Sequence, residues 1–553
     1  MADISFKEAR QLCSHVEGLR NERLDEWREL CALFLPHRGR FRGETPEGLR
    51  ERRQYNNHAT AALIEAAAML TSCATPEGLT WFGHDYLDPA MREMSGALEW
   101  LKNVDDIIRL ELKLGGFYEA IDACNQELLG VGCCLLSVMP GRSKPLIYRC
   151  CTVGTYAVAI DRERELDCVV EHEYFTAREL VESFGEARCS EATRKAATES
   201  PYKMIDVTHM TYVRRQAPME SMASTDMPVG SVWWEPDGRD FLAKSGYESM
   251  PYFFTVWHDG GRFIYGTGPG DLARCDQRQV NAQELYKSLG LEKMIDPPLA
   301  IPGNMAGKID TTPGARNVVA SLQGTQAVMP LYSVDFSRAV QAVQQEIQIV
   351  SGRLDDILLR NVFSVPPDEL LRGMTATAVV ARRRAALQKM GPAINRYESR
   401  ILSGVIERTY GVLASMGLIP EPPFPEAASP LQISYQSPLA EGLKQSGSDS
   451  ITAFLQIAQP IIQAVPDCAD KVDFDQVLDI CARSLAVDPS IIRSDEDVAA
   501  IRKQKAEAQR QQMEQERQRQ EMQQAAQLGS VKTEGTLAGA LMGTNPEAAN
   551  AGF

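Results

Sequence analysis

Two glycine-rich segments of this 553-residue sequence have residue types and spacing that could bind a phosphate. Gly266-Thr267-Gly268-Pro269-Gly270 follows a predicted strand and precedes a predicted helix, whose N-terminus could bind an anion. Asp271 stands where a dinucleotide-binding turn has its third glycine. Residues 303–308 are similar to a Walker A loop but one residue short, and Ile309 replaces the Mg²⁺-binding Ser/Thr. The sequence therefore favours a structural turn at 266–270, and a nucleotide-binding enzyme stays open as the alternative.

The other candidates for chemistry are histidine and cysteine. His172 lies between Glu171 and Glu173 on a predicted strand, where a surface histidine is expected and proton transfer is the alternative. The 13 cysteines include adjacent pairs at 133–134 and 150–151 but form no matched C-x-x-C pairs. This pattern predicts reduced, buried thiols and argues against a zinc site or a disulfide framework. We expect no catalytic residue, no metal and no cofactor.

The net charge and the apolar content limit the kinds of partner that the protein can bind. The formal net charge of −16 argues against a protein whose whole surface grips phosphates, but it is compatible with DNA passing through without sticking. The N-terminus does not have the pattern of a signal peptide. We expect no membrane span, because the apolar runs fall short of the roughly 18 residues that a span needs.

Hydrophobic periodicity predicts a helix-rich α+β fold. Helices are expected over 5–35, 56–72, 90–112 and 117–130, since apolar residues recur there at three- and four-residue spacings. Strands are expected through 130–260, at 133–139, 146–148, 156–160, 166–175, 204–213, 231–234 and 252–256. Thr176 and Glu179 form a predicted capping box at the start of a short helix inside this region.

The second half alternates long helices with proline breaks. A helix over 270–294 ends at Pro297-Pro298, a turn-rich and β-prone module follows over 299–334, and a second helix covers 335–359. Two helices of similar length around a compact insert predict an antiparallel pair. A long helix over 375–416 contains Gly391 and Pro392, which predict a kink. Residues 495–528 predict a charged, Gln-rich helix with few apolar anchors.

The order and spacing of several motifs resemble the portal, or head-to-tail connector, proteins of podovirus-type bacteriophages. The resemblance covers the chain to about residue 490. The motifs are Trp27 with Pro36-His37-Arg38, Tyr55-Asn56-Asn57 through to Trp81-Phe82, the 265–270 turn, Asp296-Pro297-Pro298, and Met374-Thr375-Ala376-Thr377 through Gly391-Pro392 to Gly417-Leu418-Ile419-Pro420.

The resemblance implies the domains of that family. Residues 1–266 correspond to the wing, 267–294 to the first stem helix, 295–334 to the clip and 335–359 to the second stem helix. Residues 360–373 correspond to the tunnel loop, 374–445 to a long kinked helix that returns to the wing, 446–528 to the crown, and 529–553 to a flexible tail.

Four groups of site residues follow from the resemblance. The DNA-channel candidates are Arg360, Asn361 and Arg372, and the candidates for the clip interface with terminase or tail adaptor are Lys308 and Arg316. The stem candidates for packing between neighbouring copies are Phe336, Val340, Val343, Ile347 and Val350. Gly391 and Pro392 are the kink.

The resemblance also implies partners. We expect a homo-oligomeric ring, a dodecamer, at one capsid vertex of the virion, assembled in the host cytoplasm. Its partners would be the terminase large subunit, tail adaptor and nozzle proteins, scaffolding and major capsid proteins, and double-stranded DNA that passes without sequence readout.

Overall fold

The computed structural model describes residues 4–41, 54–88, 96–214, 226–261, 264–295, 336–363, 390–424, 431–436 and 495–534, with short pieces at 91, 94, 299–300, 310, 329–330 and 477–478. The chain divides into two compact units. The first consists of Met1–Arg92 and Gly96–Lys471, and the second consists of Glu93–Ser95 and Val472–Phe553.

The helices of the first unit fall into an N-terminal group and a central group. The N-terminal group is α1 (Phe6–Phe34), α2 (His58–Ala74), α3 (Ala97–Gly115), α4 (Phe117–Val131), α5 (Ala177–Phe184) and α6 (Glu191–Glu199). The central group is α7 (Pro269–Ile295), α8 (Phe336–Ile357), α9 (Arg360–Phe363) and α10 (Ser403–Ser415). Capping boxes start α1 at Ser5 and α5 at Thr176, because each cap accepts the N3 amide and N3 is a glutamate.

Twelve strands in the described part of the chain form four sheets. They are β1 (Phe82–Tyr86), β2 (Cys133–Pro140), β3 (Leu146–Cys151), β4 (Tyr156–Ile160), β5 (Leu166–Thr176), β6 (Met204–Val213), β7 (Val229–Trp234), β8 (Ala243–Tyr247), β9 (Tyr252–Val256), β10 (Leu299–Ala300), β11 (Met329–Pro330) and β12 (Leu431–Tyr435). The sheet orders are β4-β5-β6-β7-β8, β3-β2-β9, β1-β12 and β10-β11, and every pairing is antiparallel.

One large hydrophobic core joins the N-terminal helices, the three-stranded sheet and parts of α7, α8 and α10. A second cluster seats the start of α1 on the five-stranded sheet, through residues such as Val16 and Met210. A third places α5 on the same sheet through Leu180 and Val207. The main core includes residues of α7 and α8, such as Val280 and Val350.

The predicted helix-rich α+β class is confirmed, and most elements predicted within the described residues are present. The structure adds three strands that the sequence patterns did not single out, β1, β8 and β12. Pairing of β1 with β12 brings the chain after α10 back to the N-terminal body.

The second unit contains one long described helix, α11 (Asp495–Glu534). Its side chains Met513 and Met522 are 66% and 73% exposed, so the predicted shortage of apolar anchoring is confirmed there. The helix runs six residues beyond 528, into the range predicted as a flexible tail.

Among the described helices, none combines the length and apolarity that a membrane span requires. The 11 cysteines in the described part of the chain are free thiols, and all except Cys275 are buried or partly buried.

Candidate functional site

The glycine turn before α7 packs directly against the end of α4. A Cβ on Gly270 would lie 2.0 Å from the Gly130 carbonyl oxygen, and a Cβ on Gly268 would lie 2.7 Å from Gly132 Cα. Asp271, in the first turn of α7, accepts a hydrogen bond from Gly268 N–H at 2.9 Å. Backbone and a carboxylate therefore fill the position that a phosphate would take.

These contacts support the prediction of a structural turn at 266–270, because the space beside the turn is occupied by the chain's own backbone and carboxylate. The second glycine segment, 303–308, lies outside the described residues.

Motif residues that are far apart in the sequence meet around this turn. The Trp27 ring packs edge-to-face on Tyr265, with ring centroids 4.9 Å apart. Asn281 Oδ1 on α7 accepts the backbone N–H groups of Tyr55 and Asn56 at 3.3 and 3.2 Å. The motifs that carry the sequence resemblance thus attach α7 to α1 and to the start of α2.

Ion pairs add to this attachment. Arg23 Nη2 on α1 lies 2.9 Å from Asp271 Oδ1, and both side chains are nearly buried. Arg278 pairs with Glu29, and Arg274 lies 3.9 Å from the same glutamate. The root of α7 is therefore held by backbone packing and by charges that are paired within one chain.

Helices α7 and α8 form an antiparallel pair, as predicted. Asp276 on α7 pairs with Arg353 on α8 at 3.5 Å, and Gln279 donates to Glu346 at 3.3 Å. Residue numbers rise along one helix as they fall along the other, so the helices run in opposite directions. In the range between them, β10 pairs with β11.

The apolar face of α8, predicted to pack between neighbouring copies, is partly buried within its own chain. Ile347 is 7% exposed and Val350 is fully buried within a single chain, where both belong to the main core. Val343 is partly buried against the same core, and Val340 is partly exposed. The stripe of α8 is amphipathic as predicted, but Ile347 and Val350 contact their own chain because α8 lies on the body. Phe336 begins α8, and its side chain lies outside the described residues.

The outward faces of the two helices differ chemically. On α7, Leu272, Tyr286 and Leu289 are 66%, 70% and 40% exposed. On α8, the outward face includes the exposed Gln341 and Gln345. One face offers apolar surface and the other offers neutral amides.

Arg360 lies at a sharp turn between α8 and α9. Leu359 just before it has φ = 67°, a conformation that non-glycine residues rarely adopt. Arg360 Nε lies 2.6 Å from Glu65 on α2, and Nη1 lies 3.3 Å from Asp355 on α8. His58 also contacts Asp355, at 2.9 Å. In this chain Arg360 anchors the start of the 360–373 segment to α2 and α8.

The other predicted site residues have different outcomes. Asn361 donates to Asp356 at 2.8 Å, which holds it at the end of α8. Arg372, Lys308 and Arg316 lie outside the described residues.

Gly391 and Pro392 lie within helical backbone, over 390–397. A π-helical turn, Glu398–Leu402, follows them before α10. Such turns commonly disturb a helix axis, and the kink at Gly391-Pro392 stays a prediction.

A buried polar cluster connects the two larger sheets. Ligand atoms of Glu171, Glu173 and His209 lie within 4.8 Å of one another, a separation that could suit a metal ion. Arg149 Nη2, however, lies 2.9 Å from Glu171 and 3.2 Å from Glu173. Tyr252 donates to Glu171 at 3.0 Å. Arg149 therefore supplies the positive charge, and the cluster joins the sheets.

Two histidines of the five-stranded sheet have pKa values shifted in opposite directions. Burial lowers the pKa of His209 to about 3, so it is neutral. Burial also disfavours charge on His172, but hydrogen bonds to Asp206 and Glu17 outweigh it and raise its pKa to about 9. The His172 side chain is only 9% exposed, so the expectation of a surface histidine is wrong.

Sequence reasoning missed the partners that position these groups. Glu65, Asp355 and Glu17 carry no local motif, and no spacing links them to Arg360 or His172. Asp271 could have been found, because an acidic residue in the first turn of a helix is a common N-terminal signal.

Comparison with known proteins gives consistent matches along the chain. The profile of the family described as "Bacteriophage head to tail connecting protein" matches residues 6–492. A "Probable portal protein" of Bordetella phage BPP-1 is 26% identical over 539 residues, covering 95% of this chain and 96% of the relative. The "Portal protein" of Salmonella phage epsilon15 is 23% identical over 513 residues, covering 90% and 91%.

Proposed function

The chain belongs to the bacteriophage head-to-tail connecting protein family, and from this premise we propose that it forms the portal ring through which double-stranded DNA enters and leaves the capsid. The observation that carries the proposal is the family match over residues 6–492, together with two portal relatives that align along nearly their whole length. The chain is a structural component of the virion.

We propose the finer architecture from the antiparallel pair. In a ring of copies, α7 and α8 would form the stem, 295–334 the clip, 360–373 the tunnel loop and the α+β body the wing. The attachment of α7 at its root supports this assignment, because a stem needs a fixed starting direction. Residues 446–528, including much of α11, would form the crown.

The proposed partners follow from this arrangement. The clip, with Lys308 and Arg316, would bind the terminase large subunit during packaging and the tail adaptor and nozzle proteins afterwards. The ring, a dodecamer, would contact scaffolding and major capsid proteins at one vertex after assembly in the host cytoplasm. Hydrolysis of ATP would belong to the terminase, and this chain would need no cofactor.

The ion pairs of Arg360 support the proposal that this residue anchors the start of the tunnel loop. Its pairs with Glu65 and Asp355 would fix the segment that carries Arg372, and Arg372 remains the candidate for contact with DNA. Shortening 361–371 should leave rings intact but impair packaging or retention of DNA. Loss of the rings themselves would instead identify the segment as a structural part of the assembly.

Electron microscopy of the purified full-length protein in negative stain tests the main proposal. We expect ring-shaped top views with a central opening. Particles that remain monomeric at both low and high salt, with no rings, would contradict the portal assignment.

A further inference from the structure

One exposed line of α8 carries three glutamines and a glycine, and no charged residue. Gln341, Gln345, Gln348 and Gly352 follow one another at intervals of four, three and four residues, which aligns them along one side of a helix. All four are exposed, and they lie opposite the buried Ile347 and Val350. We call these four residues the amide stripe.

Charged and apolar side chains surround the amide stripe. Arg338 and Asp356 lie beyond its two ends, both exposed. Ile349, which is 62% exposed, lies on one flank of the stripe. The stripe is about 16 Å long at the usual helical rise.

Building on the proposed portal function, we infer that the amide stripe is the surface along which the DNA backbone slides. Duplex DNA carries one charge per about 1.7 Å of axis, so a duplex segment as long as the stripe carries about ten phosphates on its two strands. Lysines there would release counterions and hold the duplex, and carboxylates would repel it. Glutamine side chains donate and accept hydrogen bonds without net charge, so water can replace each contact readily.

The contrast with α7 supports DNA as the occupant. The exposed Leu272, Tyr286 and Leu289 of α7 would gain from burial against protein, since apolar surface is stabilised by leaving water. The amide stripe has little apolar surface to bury. In the helix pair, α7 therefore offers the face suited to a protein neighbour, and α8 offers the face suited to a hydrated polyanion.

The test introduces charge along the stripe of the full-length protein. In the triple variant Gln341→Lys, Gln345→Lys and Gln348→Lys, we expect rings to form and to bind linear duplex DNA in a salt-dependent way. Each lysine that reaches a phosphate adds about 0.9 to the slope of log affinity against log salt. Three such contacts change the affinity about 40-fold between about 50 and 200 mM salt.

A second variant tests the sign of the added charge, and a matched control tests its position in the chain. The triple Gln→Glu variant at the same positions should reduce DNA packaging in a phage that carries it, while rings still form. The control is Gln511→Lys, Gln515→Lys and Gln518→Lys on α11, which has the same spacing, exposure and added charge. We expect this control to bind much less DNA than the stripe variant does.

Three results would overturn the inference. In the first, the α11 control binds DNA as strongly as the lysine stripe variant. In the second, the lysine and glutamate stripe variants bind and package DNA as the unaltered protein does. In the third, both stripe variants remain folded but fail to form rings. The last result would identify the stripe as an interface between copies. If the unaltered protein itself forms no rings and does not support packaging, the proposed function fails instead.

Discussion

The root of α7 and the outward length of the same helix differ in what covers them. At the root, Gly270 lies against the Gly130 backbone and Asp271 pairs with Arg23. Farther along, Tyr286 is 70% exposed and Leu289 is 40% exposed. The difference indicates that one chain by itself fixes where the helix pair begins and how it is oriented. The outward face of α7 keeps exposed apolar side chains, which we expect another molecule to cover.

The largest effect is expected from a methyl group at the root. In Gly132→Ala the new Cβ would lie 2.5 Å from Gly268 N and from the Thr267 carbonyl carbon, at φ = +87°. Because backbone atoms cannot move aside as a side chain can, we expect a loss of about 3–4 kcal/mol in the free energy of unfolding. Chemical denaturation measures it.

Gly116→Ala is the matched control for that change. Gly116 also ends a helix and has φ = +84°, but no atom lies within 4 Å of the position of its Cβ. Only the backbone penalty of about 1–2 kcal/mol should appear. Equal losses for the two variants would mean that close approach at the root contributes nothing.

The ion pair at the root should matter less. Asp271→Ala removes the acceptor for Gly268 N–H and a partner of Arg23, and we expect a loss of about 2 kcal/mol by thermal or chemical unfolding. Glu182→Ala on α5 removes a pair with Arg178 in which both side chains are more than half exposed. That control should leave the free energy of unfolding nearly unchanged, because water screens an exposed pair. A loss of stability from Asp271→Ala as small as that of the control would show that this pair does not contribute to the attachment of α7.

His172 tests whether α1, which carries Arg23, is itself fixed to the sheet. Its pKa is raised above the ordinary value to about 9, so the stabilisation is complete below about pH 6.5 and is lost as pH rises through about 9. We expect His172→Gln to lower stability by about 1–2 kcal/mol at about pH 6.

The deficit of His172→Gln relative to the unaltered protein should shrink at about pH 10, because His172 is then neutral in both states of the unaltered protein. Urea unfolding of both proteins at the two pH values measures this. A deficit that grows with pH would show that the imidazole is not charged in the folded protein.

The smallest effect on folding, and the clearest effect on assembly, is expected on the outward face. Tyr286→Arg with Leu289→Arg should change the free energy of unfolding by at most about 0.5 kcal/mol, because both side chains are exposed. Assembly into rings should fall, as measured by sedimentation and electron microscopy. Tyr202→Arg, at a position that is 76% exposed, is the control and should assemble normally. Intact rings from the double variant would show that this face is not used between copies.

Much of the fold could be predicted because its signals are local. Proline pairs end helices by removing a donor, Thr176 and Glu179 cap α5 within one turn, and alternation of apolar residues predicts most strands of the sheets. The amphipathic stripe of α8 was readable for the same reason. The direction in which its apolar side faces was not, because periodicity does not say whether the covering surface belongs to the same chain.

The sequence by itself determined the α+β class, the antiparallel helix pair and, through the order of its motifs, the family. Only the tertiary structure decided which charged side chains are paired within the chain. Arg360 is paired with Glu65, His172 lies partly buried between Glu17 and Asp206, and β12 returns to β1. Such contacts join residues far apart in the chain, and burial there sets both the charge and the availability of a side chain. Local sequence carries no record of those distances.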